Sequence, residues 1–284
     1  MAIETEFLDQ LNKFSLVVRK RVTSTLSGAK KSIRMGRGLA FADHRIYAPG
    51  DDIRTIDWKV YAKTDDLYVK QFEEEKNLTV HVIIDASHSM NFGDKVKKFE
   101  YASMLGLGFA YLALKENEKF QYAIFSDKIE IFQPRRGMSQ LVGMLHELNN
   151  TKTKGFSNLK EAVFQYKKVI GSKALIVIIS DFLFKIEDII ETLFYLGNHE
   201  IKVVQVLDPV EKELKMEGDY TLKDSETNDS LRTFVSQRLR LDYMKRLDEH
   251  CSRIHEVCNK LDIEYYLVTT DTPIFDAFYG MLEK

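Results

Sequence analysis

The sequence predicts an α/β protein built on a doubly wound, mostly parallel, six-stranded sheet with an N-terminal arm. From Leu78 onward, short apolar runs rich in β-branched residues alternate with stretches of helical periodicity. Some of these runs are continuously apolar, as in Leu175 to Ile179, which is typical of strands that helices cover on both faces. An apolar fraction of 44% over 284 residues is enough to bury a large core.

Six strands are predicted from these apolar runs and the turn residues that bound them. They are Leu78 to Ile84, Phe120 to Phe125, Ile129 to Gln133, Ala174 to Ile179, Ile201 to Leu207 and Ile263 to Val268. Only Ser126-Asp127-Lys128 separates the second strand from the third, so we expect that pair to be antiparallel at one edge.

Helices are predicted between and after the strands. They are Lys95 to Lys115, Met138 to Asn149, Asn158 to Ile170, Ile186 to Gly197, Val235 to Leu261 and Ile274 to Leu282. Gly106 and Gly108 lie inside an apolar helical run, which indicates close packing and not a dinucleotide-binding loop. A polar insertion from Asp208 to Thr233 is expected to hold a small hairpin that pairs Tyr220 to Leu222 with Leu231 to Thr233.

The first 75 residues are predicted to form the arm, and residues 76–284 the main domain. Apolar residues from Phe7 to Val18 predict an amphipathic helix that ends near Gly28, followed by extended chain. Eight basic residues and no acidic one lie between Lys13 and Gly38. This stretch fits a solvated face beside an acidic partner, and binding to phosphates or a membrane surface stays an alternative.

The composition also bounds the class of protein. A formal net charge of -2 gives no general preference for nucleic acid or anionic lipid. Cys251 and Cys258 are expected to lie two turns apart on one helix as reduced, packed thiols. Neither a signal sequence nor a membrane span is predicted, so we expect a cytoplasmic protein.

Polar side chains follow two of the predicted strands and precede one helix. Asp85, Ser87 and Ser89 follow the first strand, Asp181 follows the fourth, and Ser157 precedes the helix between them. In doubly wound sheets such positions meet where the strand order reverses. Oxygen donors of this kind suit Mg²⁺, with Mn²⁺ or Ca²⁺ tolerated. We expect solvent-facing ligands that leave the metal open to an acidic group of a protein partner.

Each residue also has a reading without a metal. Ser157 is a common type of helix cap, and an aspartate after a strand often accepts backbone hydrogen bonds. The combination and order of the three segments favour the metal site. His88 is interpreted as a surface residue.

Asp85-Ala86-Ser87-His88-Ser89, Ser157 and Asp181 resemble the metal-ion-dependent adhesion site of von Willebrand factor A domains. The resemblance implies that the serines contact the metal directly or through water and that both aspartates act mostly through water. Serine stands at 157 where that family usually has threonine, which leaves Thr151 or Thr153 as possible substitutes.

A second segment, Gly38 to Lys59 (GLAFADHRIYAPGDDIRTIDWK), resembles the signature of a bacterial family called domain of unknown function fifty-eight. Pro49-Gly50-Asp51-Asp52 is a turn signal, and the residues from Ile53 to Trp58 predict an extended strand laid on the main domain and anchored by Trp58. The signature residues considered are Arg45, Asp51, Asp52, Arg54, Asp57 and Trp58. A direct binding role for Arg45, Asp52 and Arg54 is the alternative to packing.

The second resemblance implies a chaperone-like adaptor that partners a MoxR-type AAA+ ATPase and is not an enzyme. A metal-dependent phosphoester hydrolase is the main alternative, because two carboxylates and a cation can activate water. It is disfavoured because the sequence shows no His, Lys or paired carboxylate beside the Asp85 and Asp181 loops in a recognisable motif. A nucleic-acid binder that uses the basic arm is the third hypothesis.

Overall fold

The computed structural model describes residues 3, 6–14, 40–73, 79–133, 137–171, 174–197, 199–214, 218–223 and 230–282. Their contacts divide the chain into two units. The main unit comprises Met1–Val18 with Leu78–Lys284, and the arm unit is Arg19–Asn77. The first helix, α1 (residues 6–14), therefore groups with the main unit, and most of the basic stretch that ends at Gly38 lies outside the described residues.

The arm unit is a pair of antiparallel strands with a helical connection. β1 (Ala40–Ile46) pairs with β2 (Tyr68–Glu73), and between them the chain forms a 3-10 turn (Ile53–Thr55) and α2 (Trp58–Thr64). Local capping holds the connection, and it meets β2 only at an isolated bridge between Ile56 and Val69, where the Asp57 N–H donates to the Tyr68 carbonyl at 2.8 Å.

The predicted extended strand from Ile53 to Trp58 is therefore wrong. Asp52 accepts a hydrogen bond from the Arg54 N–H and begins the 3-10 turn, and Asp57 caps α2. Trp58 is the first residue of that helix and is 59% exposed, so it is not the buried anchor that the sequence predicted.

The six strands of the main sheet follow the predicted ones to within a residue or two at most ends. They are β3 (Thr79–Asp85), β4 (Lys119–Phe125), β5 (Ile129–Ile131), β6 (Leu175–Ser180), β7 (Glu200–Leu207) and β10 (Glu264–Thr269). Their order across the sheet is β10-β7-β6-β3-β4-β5. Only β5 runs antiparallel, at the edge beside β4, which confirms the predicted fold class and hairpin.

Helices cover both faces of this sheet, and all but one short helix were predicted. Their ends lie within three residues of the predicted ones, except that the helix predicted to reach Ile170 ends at Tyr166. The helices are α3 (Lys98–Lys115), α4 (Met138–Asn150), α5 (Leu159–Tyr166), α6 (Ile186–Leu196), α7 (Pro209–Glu213), α8 (Gln237–Lys260) and α9 (Ile274–Leu282). The insertion after β7 contains α7 and the predicted hairpin of β8 (Gly218–Lys223) with β9 (Ser230–Val235). None of the described helices is long and apolar enough to cross a membrane.

Alternate residues of the central strands enter two separate cores. Val82 and Ile84 of β3 pack with α1, α3, α4 and α9, whereas Ile83 packs with α5, α6 and α8 on the other face. Cys251 and Cys258 are free thiols buried on α8, as expected. Continuous apolar strands are what a sheet covered on both sides requires.

The close packing predicted for Gly106 and Gly108 is confirmed. A Cβ atom added to Gly106 would lie 2.6 Å from Cδ1 of Ile84, and one added to Gly108 would lie 1.8 Å from Cζ of Phe278 in α9. Gly106 therefore lets α3 approach the sheet, and Gly108 lets it approach α9, more closely than a larger residue at either position would allow.

Gly108→Ala should therefore destabilise the protein by about 1–3 kcal/mol through overpacking against Phe278. Gly143 is the matched control, because it is an exposed helical glycine with no atom within 4 Å of an added Cβ. Gly143→Ala should stabilise by up to about 1 kcal/mol. The free energy of unfolding from urea titrations measures both, and equal effects would contradict the packing argument.

His81 of β3 is a buried histidine whose Nδ1 lies 2.9 Å from the Tyr166 hydroxyl. Burial, together with the charge of His199, lowers the pKa of His81 from 6.5 to about 4. The folded protein therefore holds this ring neutral where the unfolded chain would protonate it.

Titration of His81 should therefore leave the free energy of unfolding unchanged above about pH 6.5. As the pH drops toward about 4, that free energy should fall by up to about 3 kcal/mol from this residue alone. His81→Gln should be less stable at pH 7 but should lose less on acidification. His146→Gln, which changes an exposed histidine, should keep the wild-type slope. Urea unfolding at pH 7, 6, 5 and 4 measures this, and parallel curves for the wild type and His81→Gln would contradict it.

Candidate metal centre

The loops with the predicted metal ligands lie at the carboxyl edge of the main sheet, where the strand order reverses. β3 and β6 are neighbours, but the chain continues from them to opposite sides of the sheet, which opens a crevice between the two loops. Ile84 pairs with Ile179, so the next residues, Asp85 and Ser180, end their strands side by side and Asp181 follows.

The Asp85 carboxylate joins three segments of the chain. Its Oδ1 accepts a hydrogen bond from the Ser87 N–H at 2.8 Å. Its Oδ2 accepts the hydroxyls of Ser157 at 2.8 Å and Ser180 at 2.6 Å. Ser157 thus reaches the site from the loop before α5, and Ser180 is a contact that sequence analysis did not predict.

Asp181 joins the same cluster from the other side. Its Oδ2 accepts the Ser89 hydroxyl at 2.8 Å, and its Oδ1 accepts the Leu183 N–H at 3.2 Å. The hydroxyl oxygens of Ser87 and Ser89 lie 3.1 Å apart. The structure therefore brings together all the predicted ligands, Asp85, Ser87, Ser89, Ser157 and Asp181.

Two further charged residues belong to this cluster. Nζ of Lys98, the first residue of α3, lies 2.8 Å from Oδ2 of Asp181 and 2.7 Å from Oε1 of Glu211 in α7. The Lys98 side chain is 0% exposed. The expectation that no lysine stands beside the Asp181 loop is therefore wrong.

We call the resulting chain of contacts the site network. It runs through Ser157, Asp85, Ser87, Ser89, Asp181, Lys98 and Glu211. A signal for Lys98 was present in the sequence, because it lies on the stripe of α3 that also holds Ala102 and Leu105. Glu211 had no comparable signal, since it lies in a short polar helix.

Backbone hydrogen bonds hold the Ser157 loop against the β3 loop. The Lys154 N–H donates to the Ala86 carbonyl, and the His88 N–H donates to the Gly155 carbonyl, both at 3.0 Å. Gly155 has φ of +73°, a left-handed conformation that favours glycine. The hydroxyl of Ser157 is thereby fixed over Asp85.

The structure also distinguishes Ser157 from its two possible substitutes. Thr151 donates its hydroxyl to the Glu147 carbonyl at the end of α4. None of the hydrogen bonds between described residues joins Thr153 to the site network. The His88 side chain is exposed, as predicted.

The predicted ligands do not all face solvent. Asp85 and Ser87 are 0% exposed and Asp181 is 1% exposed, whereas Ser89 and Ser157 are partly exposed. The carboxylates are buried, and two partly exposed hydroxyls donate to them from the solvent side. Replacing Asp85 would therefore cost stability as well as the site, because several buried donors would lose their acceptor.

The buried charges do not balance. Three carboxylates (Asp85, Asp181 and Glu211) and one ammonium (Lys98) leave a formal charge of -2 in the site network when all are ionised. Burial raises the pKa of Asp85, and the negative charge of Asp181 raises it further. Burial lowers the pKa of Lys98, but Asp181 and Glu211 outweigh this, and the pKa lies above its ordinary value.

The donor set fits a hard divalent cation. It consists of carboxylate and hydroxyl oxygens, and a cation of charge +2 would balance the formal charge of the network. Among the described residues no group of three or more His, Cys, Asp or Glu side chains could hold a metal by itself. A metal here would therefore depend on the serine hydroxyls.

In the arm unit, three of the signature residues, Arg45, Asp51 and Asp57, have local structural partners. Arg45 binds both carboxylate oxygens of Asp51 at 2.8 Å, and Asp51 also accepts the Ala48 N–H at 2.9 Å. The hydrogen bond from the Ala48 N–H lowers the pKa of Asp51 most, and the contact with Arg45 lowers it further. Nε2 of His44 lies 3.0 Å from Oδ2 of Asp57.

The remaining signature residues are at the surface. Asp52 and Arg54 pair with each other at 3.4 Å and are largely exposed. Trp58 packs edge-on against Tyr61 with ring centroids 6.0 Å apart. A direct binding role for Arg45, Asp52 and Arg54 stays a prediction.

The family model described as "Protein of unknown function DUF58" matches residues 43–253, which include the whole site network. Uncharacterised proteins of Mycobacterium bovis and Mycobacterium tuberculosis are similar over 245 residues at 25% identity. The alignments cover 84% of this chain and 77% of each relative.

Two solved structures from Bacteroides are also similar. The conserved hypothetical protein BatB from Bacteroides thetaiotaomicron is 15% identical with a TM-score of 0.46, covering 73% of this chain and 100% of that one. An aerotolerance-related membrane protein from Bacteroides fragilis is 15% identical with a TM-score of 0.46, covering 72% and 98%. At this level of similarity neither carries an argument about function.

Proposed function

The chain belongs to the DUF58 family of proteins of unknown function, and we propose that it is a metal-dependent protein-binding module and not an enzyme. Its site would be the network of Asp85, Ser87, Ser89, Ser157 and Asp181 at the carboxyl edge of the sheet. The proposal goes beyond the family assignment and is supported by the chemistry of that site.

One observation carries the proposal. Two buried carboxylates from neighbouring strands face a set of hydroxyl oxygens, and the network around them has a formal charge of -2. Burying such an excess of negative charge is unfavourable unless a cation offsets it. The partly exposed Ser89 and Ser157 make the same place accessible from solvent.

Mg²⁺ is the proposed cation, with Mn²⁺ or Ca²⁺ as possible replacements. Asp85 and Asp181 would hold it from the buried side of the site, and Ser87, Ser89 and Ser157 would complete the protein donors. When bound, a cation with an incomplete set of protein ligands supplies a position for a carboxylate of another protein.

The proposed partner is a MoxR-type AAA+ ATPase that presents an acidic side chain, with this chain acting as a chaperone-like adaptor. This part rests on the family resemblance of the signature segment. A cytoplasmic location is part of the same proposal.

A phosphoester hydrolase is the competing function, and Lys98 bears on it because a lysine can act as a general base. Lys98 is fully buried and donates to two carboxylates, which keeps it protonated. A protonated and enclosed ammonium cannot take a proton from an attacking water. The geometry thus favours binding over hydrolysis.

Ser89→Ala should lose the partner, because it removes a partly exposed oxygen that contacts Asp181. We expect the intact wild type to recover an AAA+ ATPase from a bacterial lysate with Mg²⁺ but not with EDTA, and Ser89→Ala to recover at least about tenfold less. Mass spectrometry of the bound fraction measures this.

Ser126→Ala is the matched control. Ser126 directly follows β4, the strand beside β3, but its hydroxyl donates to Asp127, which lies outside the site network. It should recover the partner as the wild type does. Equal recovery by Ser89→Ala, or equal recovery in EDTA, would contradict the proposed role of the metal site.

Purified protein with Mg²⁺ or Mn²⁺ should not hydrolyse nitrophenyl phosphates, cyclic phosphodiesters or nucleoside triphosphates above background. The reason is that Lys98, the basic side chain in contact with Asp181, is enclosed and held protonated by two carboxylates, so it cannot activate water. Release of phosphate or nitrophenol measures it. Turnover by the wild type that disappears in Asp181→Asn would establish the hydrolase instead.

A further inference from the structure

Lys98 is the least expected member of the site network and is not one of the proposed metal ligands. Its ammonium group is 0% exposed and lies 2.8 Å from Asp181 and 2.7 Å from Glu211. The Phe92 ring lies 5.9 Å from the same nitrogen. The ammonium is therefore enclosed by two carboxylates and a ring.

The position of Lys98 is unfavourable apart from these contacts. It is the first residue of α3, where the helix dipole repels a positive charge, and burial removes the ammonium from water. A lysine persists in such a place only if its two carboxylates offset both costs. Lys98 is thus held by charge and not by helix preference.

One oxygen of Asp181 therefore contacts both Ser89 and Lys98. The oxygen that accepts the Ser89 hydroxyl, Oδ2, is the same one that accepts the Lys98 ammonium. A metal held between Asp181 and Ser89 would meet a positive charge that already binds that oxygen.

Glu211 determines how strongly Lys98 acts on Asp181. Its Oε1 accepts from Lys98, and its Oε2 accepts the Asp208 N–H at 3.0 Å in the capping box of α7. Glu211 is fixed by its own helix and shares the ammonium with Asp181. The segment after β7 is in this way joined to the metal centre.

We propose that Lys98 is a built-in counter-cation that shares Asp181 with the divalent cation, holds the metal-free site together and weakens metal binding by the free protein. This inference rests on the proposed metal site and adds a residue that determines its affinity. With Lys98 the network has a formal charge of -2, and without it the charge would be -3. The consequence is that metal binds firmly only when a partner carboxylate adds a further ligand.

The test is Mn²⁺ binding to the full chain, with Mn²⁺ alone as the probe and free Mn²⁺ measured by electron paramagnetic resonance. Lys98→Met should bind Mn²⁺ at least about tenfold more tightly than the wild type, because a like charge within a few ångströms of a dication is removed. Damage to the fold would weaken binding, so the sign of the change separates the two explanations.

A second comparison does not depend on Lys98→Met being stable. Glu211→Gln should bind Mn²⁺ several-fold more weakly than the wild type, and adding Lys98→Met to it should restore or exceed wild-type affinity. The double variant buries no unpaired Glu211 charge. Lys202→Met is the control, because it breaks a half-buried ion pair that lies outside the site network. In that pair Nζ of Lys202 and Oε2 of Glu264 are 2.5 Å apart, and its loss should leave the Mn²⁺ affinity unchanged.

Equal or weaker binding by Lys98→Met, or by the double variant relative to Glu211→Gln, would overturn the role of Lys98. Failure of the proposed metal site is a separate result. If the wild type binds no Mn²⁺ at millimolar concentration but Lys98→Met does, the counter-cation is supported and metal binding by the free wild type is excluded.

Discussion

The parallel pairing of β3 with β6 is the constraint on which the rest of the site depends. Its register sets Ile84 beside Ile179, and each strand then ends within a residue of a carboxylate. Since the chain leaves these strands toward opposite sides of the sheet, the two loops cannot cover each other. Asp85 and Asp181 are thereby held near one another although like charges repel. Everything around them, from the Ser180 hydroxyl to the Lys98 ammonium, supplies the hydrogen bonds or charge that this arrangement requires.

The same arrangement explains why the site has both a buried and an accessible part. The carboxylates are buried because Asp85 ends β3 and Asp181 directly follows β6, and both strands are packed between two cores. Ser89 and Ser157 lie outside the strands and are partly exposed. Hydroxyl groups suit the second position, since each can donate to a carboxylate or offer its oxygen to a cation. The serines can therefore stabilise the metal-free protein by donating to Asp85 and Asp181 and can turn the same oxygens to a cation.

Most of the fold, and the meeting of Asp85, Ser87, Ser89, Ser157 and Asp181 at one edge of the sheet, could be predicted from the sequence, because both follow from local patterns. Apolar runs and helical periodicity define the strands and helices, and the rule for strand ends places Asp85 and Asp181 together. The Lys98–Glu211 contact could not be predicted in this way, as its partners are 113 residues apart and no periodicity connects them. The arm was predicted less well. Tryptophan is usually buried, which predicts an anchor at Trp58, but Asp57 directly before it caps a helix that leaves the ring exposed.

The enclosed ammonium also limits how this protein can diverge from its relatives. A lineage that replaced Lys98 alone would inherit two buried carboxylates without a counter-ion, and one that replaced Glu211 alone would leave the ammonium with a single partner. Neutral drift through either single change is therefore obstructed. These two positions, in α3 and in the insertion after β7, are expected to be inherited together or exchanged together. The polar insertion is in this way coupled to the site network by one ion pair.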